Sequence, residues 1–284
     1  MKRVLNILSI DAEELYHAEY VRSSPSSYFL KRAPRARAGI EMAMDILRKH
    51  DVRATFFFVG EVAERWPELT EELEEKGHEI GFHGYHHRPL WEMKPDELRE
   101  EIRSFRSLLG HPCRGFRAPS FSIDMRTTWA LRVLVGEGYL YDSSIFPFRT
   151  PLYGLPGAPT RPYRPSLSDP RLEDEDSPLL EFPITVGELG PLRIPIGGGF
   201  YLRLMPVNII RTIIKDLNKR GLPAIIFVHS WELDAKTPIS PLGSPFKTFI
   251  TYYNIGATSK KLAYLISSVK FTTFEDYIEN TGLA

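Results

Sequence analysis

Short apolar runs that stop at an ionisable residue recur along this chain, and that recurrence constrains its fold more than any other feature. Val4-Leu5-Asn6-Ile7-Leu8-Ser9-Ile10 ends at Asp11, and Glu79-Ile80-Gly81-Phe82 runs into His83. Gly115-Phe116 stops at Arg117, Leu140-Tyr141 at Asp142, and Ala224 to Val228 at His229. Ala54 to Val59, with three consecutive phenylalanines, reads as a further buried strand. Stretches of helical periodicity lie between these runs: Gly39 to His50, Glu61 to Lys76 with Gly77 as its C-terminal cap, Pro95 to about Leu109, and Thr127 to Gly136. Strand and helix alternate five times in about 140 residues, a rhythm that predicts parallel βα units in a barrel or an open sheet.

Beyond Phe146 the rhythm breaks into a charged stretch, 146–178, with eight prolines; its scattered aromatics mark it as an ordered excursion over the surface rather than a linker. Leu179 to Val186 and Leu192 to Ile196 then resume the strand pattern. Val207 to Lys219 predicts a helix, as does Ser259 to Ser267, with a strand at Lys270 to Thr273 and a short terminal helix after it. No internal repeat appears, so the reading is one domain over residues 1–284, with 146–178 as an insertion and 233–284 as a C-terminal extension.

In parallel α/β folds the C-terminal strand ends share one face, where such folds place their active sites. His83 and His87 are four residues apart and reach one cation if the backbone turns helically between them; alone, that spacing also fits ordinary hydrogen-bonded histidines. His86 is out of phase with that pair and reads as a neighbour. Asp11-Ala12-Glu13-Glu14 offers a carboxylate to complete a two-histidine site and a second to act as general base, or else caps the following helix. Arg117 suits a forked grip on a carboxylate, or a surface ion pair. His229 stands where it can donate a proton to a leaving group, or sit as a satisfied core histidine.

Thirty-six basic residues balance thirty-six acidic ones, so overall charge gives no reason to expect nucleic acid or an anionic membrane as partner. Cys113 is the lone cysteine, which excludes an intrachain disulfide. The apolar N-terminal run is too short and polar for a signal-peptide core, and no later segment approaches the roughly 18 apolar residues of a membrane span; the expectation is a cytoplasmic protein.

Taken in order, these residues resemble the polysaccharide deacetylases, the NodB-homology domain of carbohydrate esterase family 4. Its five motifs have counterparts in Ser9 to Glu14, in His83 and His87 with Gly84 where the family has Ser or Thr, in Arg117-Ala118-Pro119, in Tyr141-Asp142-Ser143-Ser144, and in Ile225 to His229. Gly197 to Phe200, His229-Ser230-Trp231-Glu232 and Phe246 to Asn254 look like the subgroup associated with exopolysaccharide synthesis. The resemblance implies a distorted, incomplete (β/α) barrel of about seven parallel strands and a metal-dependent hydrolase that releases acetate, most simply from N-acetyl groups of a polysaccharide or oligosaccharide. It implies Asp11 as base, Arg117 as its orienting partner and His229 as acid. Glu13, His83 and His87 would be the metal ligands, for zinc first, with cobalt, nickel and manganese also suited. Pro119, Phe121, Asp142 and Trp231 would line the sugar groove, and Phe200 and Tyr201 are further stacking candidates. One departure stands out: Ala12 and the pair Glu13-Glu14 replace the family's usual aspartate ligand, and Glu14 is the alternative to Glu13. Competing readings are an allantoinase-like hydrolase of a small cyclic amide and a non-catalytic sugar-binding relative.

Overall fold

The computed structural model describes residues 4–190 and 192–283. Its strands are β1 (Asn6–Ala12), β2 (Thr55–Phe58), β3 (Glu79–Phe82), β4 (Gly115–Phe116), β5 (Tyr141–Asp142), β6 (Leu180–Glu181), β7 (Val186–Leu189), β8 (Leu192–Pro195), β9 (Ile225–His229) and β10 (Phe271–Thr272). Seven of them run in the order β9-β1-β2-β3-β4-β5-β6, every neighbouring pair parallel, and β10 adds in parallel at the foot of β1. Among the described residues no strand pairing joins β6 to β9. Irregular backbone bridges that gap: Ile225 N donates to Thr185 Oγ1 (2.6 Å) and Phe227 N to the Gly197 carbonyl (2.7 Å). The predicted distorted, incomplete (β/α) barrel is therefore the fold.

The two-residue period of a strand sorts its side chains onto two faces, and both faces are covered here. Leu8, Ile10 and Ala12 of β1, Phe56 and Phe58 of β2, and Ile226 and Val228 of β9 face an outer layer that includes Ala36, Ile40 and Leu47 of the helix Ala36–His50. Ile7, Phe57, Tyr141, Ile225 and Phe227 point inward, where Phe274, Tyr277 and Ile278 of the helix Phe274–Thr281 plug the foot of the barrel. Glu79, at the start of β3, fixes that plug by accepting from Phe274 N (3.0 Å) and Thr55 Oγ1 (2.5 Å). Burial pushes its carboxyl up to about 7.

Two predicted elements differ. Glu61 to Lys76 is two helices, Gly60–Arg65 and Pro67–Glu75, because the proline ring forces Trp66 out of helical geometry (φ −138°, ψ 68°). Leu192 to Ile196 does not rejoin the barrel; β7 and β8 form an antiparallel hairpin turned at Gly190, whose φ of 59° favours glycine. Helices Pro95–Leu109 and Val207–Lys219 lie where their periodicity places them. Leu155, Ala158 and Tyr163 of the proline-rich stretch are buried against the main core.

Candidate active site

Inward parity carries the site. With Ile7 facing the barrel interior, so do Ser9, Asp11 and Glu13, and the same alternation brings His83 and His229 to the interior at the strand ends. Glu13, His83 and His87, all buried, each offer a ligand atom, and these atoms lie within 4.8 Å of one another. His87 Nε2 is 2.7 Å from Glu13 Oε2, and His83 Nε2 is 3.8 Å from the same oxygen. His83 Nδ1 hydrogen-bonds the Arg117 carbonyl (2.7 Å), which fixes the ring so that Nε2 faces the cluster. Burial, aided by His87, holds the His83 imidazole down to about 4, against the pull of Asp11 and Glu13. Burial works to raise the Glu13 carboxyl, but His87, His229 and His83 together bring it far below the usual carboxylate range. A neutral imidazole and an ionised carboxylate are the ligating forms. Glu13 Oε2 is also a buried oxygen without a hydrogen-bond donor, so the donor set fits a divalent cation.

The backbone between the two histidines is not the helical turn that the spacing predicts. Gly84 (φ 74°) and His87 (φ 51°) both take left-handed geometry, and a tight loop brings the rings together. A Cβ on Gly84 would lie 2.8 Å from Pro119 Cγ, which explains glycine at this motif position. His86 turns outward to Glu61 (2.7 Å).

Asp11 is held from behind. The fully buried Arg117 donates from Nη1 to Asp11 Oδ1 (2.6 Å) and Ser9 Oγ (2.8 Å), from Nε to the Ser143 carbonyl (3.0 Å), and from Nη2 to Ser143 Oγ (2.9 Å). Its guanidinium also lies over the Phe57 ring, 4.3 Å from the centroid. One Asp11 oxygen is thereby occupied, and Oδ2 is left facing His83 at 3.9 Å.

His229 is held in a second, separate network. Its Nδ1 lies 3.0 Å from Glu232 Oε2, which also accepts from the His229 amide (2.9 Å). The buried Arg203 donates from Nε to Glu232 Oε1 (2.8 Å) and spends its remaining donors on the carbonyls of Tyr253 (2.6 Å) and Ile250 (3.0 Å). Burial pulls the His229 imidazole down, but Glu232 and Glu13 outweigh it and raise it to about 9. The ring is thus protonated at neutral pH, with Nε2 3.9 Å from Glu13 Oε1.

The two groups open on one cleft, lined by Asp11, Glu13, His83, His87 and His229 with Phe121, Trp231, Tyr20, Tyr153 and Phe200 among others. Asp142 does not reach it. Tyr141 points into the barrel, so Asp142, one residue on, points to the other face, where it is fully buried beside Glu181, its register partner on β6. Burial raises both carboxyls, Asp142 to about 6, and leaves one oxygen of each without a hydrogen-bond partner. The placement of Asp142 in the groove is corrected by this parity. Pro119 also lies outside the cleft wall, buried against Gly84. Trp231 reaches the wall but is 5% exposed, donates from its indole to Glu13 Oε1 (2.9 Å) and stacks on His229 (5.0 Å, 14°); it orients rather than offering an open ring. Glu14 turns away and accepts from the Arg35 and Ala36 amides (2.8 and 2.9 Å) at the start of the helix Ala36–His50. The sequence reading names Glu232 only within a subgroup motif and gives it no role, although a glutamate three residues after a strand-end histidine is a helix-start signal; Arg203 is absent from it.

Comparison with known proteins finds deacetylases similar to parts of this chain. Residues 34–135 match the family model for polysaccharide deacetylase, and a peptidoglycan-N-acetylglucosamine deacetylase of Bacillus cereus is 42% identical over 59 residues, 21% of this chain and 22% of that protein. Over those residues the chain resembles the polysaccharide deacetylases. A chitooligosaccharide deacetylase of Azorhizobium caulinodans is 36% identical over 80 residues, 26% of this chain; the chain spans 38% of its length. The chain also matches, over residues 143–279, a domain of unknown function (DUF3473). That stretch is not a separate layer: β6 and β9 lie within it and belong to the same sheet as β1 to β5. A Mycobacterium smegmatis protein assigned to the polysaccharide deacetylases shares the fold (TM-score 0.62, 16% identity, 100% of this chain and 92% of that one). An allantoinase does so too (TM-score 0.59, 16% identity, 99% and 90%).

Proposed function

We propose that the protein is a metal-dependent hydrolase that removes acetyl groups, N-acetyl first, from a polysaccharide or oligosaccharide and releases acetate. The observation that carries this reading is the single cleft that joins a His-His-Glu cluster to an arginine-held aspartate and a glutamate-held histidine. The names of the B. cereus and A. caulinodans relatives, a peptidoglycan-N-acetylglucosamine deacetylase and a chitooligosaccharide deacetylase, support the class of substrate.

Glu13, His83 and His87 would hold the cation, zinc being the first candidate for two imidazoles and a carboxylate. When bound there, a divalent cation lowers the pKa of water and polarises a carbonyl. Asp11 takes the proton from the attacking water; Arg117 holds it aimed. The water oxygen adds to the acetyl carbon, and the bond from that carbon to the sugar nitrogen breaks as His229 delivers its proton to the nitrogen. Acetate and a free amino sugar leave. Glu232 keeps His229 charged for that delivery, and Trp231 holds Glu13 and the His229 ring in register.

Among the described residues no helix is long and apolar enough to cross a membrane. Acetate release from a panel of acetylated oligosaccharides, with and without chelator, tests the proposal. Chelator-sensitive acetate is the expected result. Ureido-acid release from a cyclic amide, with no acetate from any sugar, is the result that would overturn it.

A further inference from the structure

The helix Pro245–Tyr252 and the residue after it put three large rings in water: Phe246 is 53% exposed, Phe249 44% and Tyr253 40%. Spacings of three and four place them along one side of the helix. Phe249 and Tyr253 touch, with centroids 4.7 Å apart. Phe249 also meets Phe200 edge-on at 6.2 Å and 78°, and Phe200 is part of the catalytic cleft wall, as are Ile250 and Thr251 on the same helix. A continuous aromatic path therefore leads out of the cleft onto the surface.

That path is positioned rather than loose. Arg203 grips the carbonyls of Ile250 and Tyr253 with the same guanidinium that holds Glu232, and Glu232 holds His229. The helix is thus registered to the catalytic acid through three successive hydrogen-bonded links. Its sole charge is Lys247, whose ammonium lies over the ring of the cleft residue Tyr20 at 5.6 Å. A partner protein recognised by charge finds little here. A neutral sugar ring presents an apolar face of C–H groups that packs on an aromatic side chain while its hydroxyls stay in water, and exposed rings continuous with a sugar cleft match that chemistry.

We propose that Phe246, Phe249 and Tyr253 form an accessory binding rail for the neutral sugars next to the one in the cleft, so that the segment beyond β9 selects longer chains. This rests on the reading of the cleft as a carbohydrate deacetylase site.

The test compares N-acetylglucosamine oligomers of two and five sugars on the full chain, wild type against the double variant Phe246→Ala/Phe249→Ala, whose side chains are exposed and outside the cleft wall. The rail predicts a kcat/KM about tenfold higher for the pentamer than the dimer in wild type, the size of one or two ring contacts. The variant should lose that gain and keep its rate on the dimer. A gain that survives in the variant, or no gain in wild type, overturns the rail. Calorimetric binding of the two oligomers separates this from failure of the functional reading. Pentamer-selective binding lost in the variant supports the rail even where no acetate is released, and no binding to wild type overturns it. A wild-type dimer in sedimentation that becomes monomeric in the variant assigns the face to a second copy of the chain and also overturns the rail.

Discussion

The two sides of the catalytic cleft are held by different means. Asp11, Glu13 and His83 stand within two residues of the ends of β1 and β3, the strands that flank β2, and Arg117, fully buried at the end of β4, locks Asp11 through backbone-anchored partners. On the other side His229 also ends a strand, yet its orientation and charge depend on Glu232 and Arg203, and through them on carbonyls some twenty residues further along. Ladder pairing fixes the first side. Side-chain chemistry sets the second, so it is the side where a family can vary charge and reach without disturbing the barrel.

Substitutions on the strand-borne side should have the largest effects. His83→Ala is predicted to remove stoichiometric metal and abolish turnover; elemental analysis that finds a full equivalent retained would break the ligand assignment. Asp11→Asn should cost about 10³-fold in kcat while metal content stays at wild-type level, within the range of positioned general bases. Normal hydrolysis by that variant would move the base elsewhere.

Across the cleft the effects should be smaller and pH-dependent. With His229 raised to about 9, activity persists up to the pH at which the imidazole loses its proton. Glu232→Gln removes the main group that raises it, so the basic limb of the kcat/KM profile should shift towards the ordinary imidazole range near 6.5, with a loss of about tenfold or more at pH 8. An unmoved basic limb would separate His229 from Glu232. Trp231→Phe keeps the ring but loses the indole donor to Glu13, and should weaken metal affinity about tenfold, measured by competition with a chelator.

The smallest effect lies outside the cleft, at Asp142 and Glu181. Both carboxyls are raised in the folded chain, so folding retains a proton that the unfolded chain gives up. Their contribution is fully present below the ordinary carboxyl range near pH 4 and is lost as pH rises through about 6 and above. Glu181→Gln supplies an amide donor in place of that proton, and should raise stability at pH 8 by about 2 kcal/mol with little change at pH 4. Denaturant melts at the two pH values check the sign.

Much of this was legible in the residues because strand ends are marked by where an apolar run meets a charge. Asp11, His83, Arg117 and His229 are such junctions. Asp142 looks the same in sequence and fails because parity, which the two-residue strand β5 is too short to reveal, turns it to the other face. Glu13 over Glu14 was likewise a question of parity, since the outward-facing Ala12 puts Glu13 inside, while Glu14 finds the helix start. Trp231 reads as a stacking ring until its indole is seen to donate to Glu13. Arg203 is hidden because its pairing with Glu232 spans 29 residues, and no local pattern reports a partner at that distance.

The placement of β1 has a consequence for how the chain comes to be folded. Strand β1 takes two of its partners from far along the chain: Ile7 pairs with Ile225 of β9 and Asn6 with Phe271 of β10. Until those strands are in place, β1 is paired with β2 alone and its other flank is open. Such non-local closure slows folding and leaves a sticky edge exposed while it is incomplete.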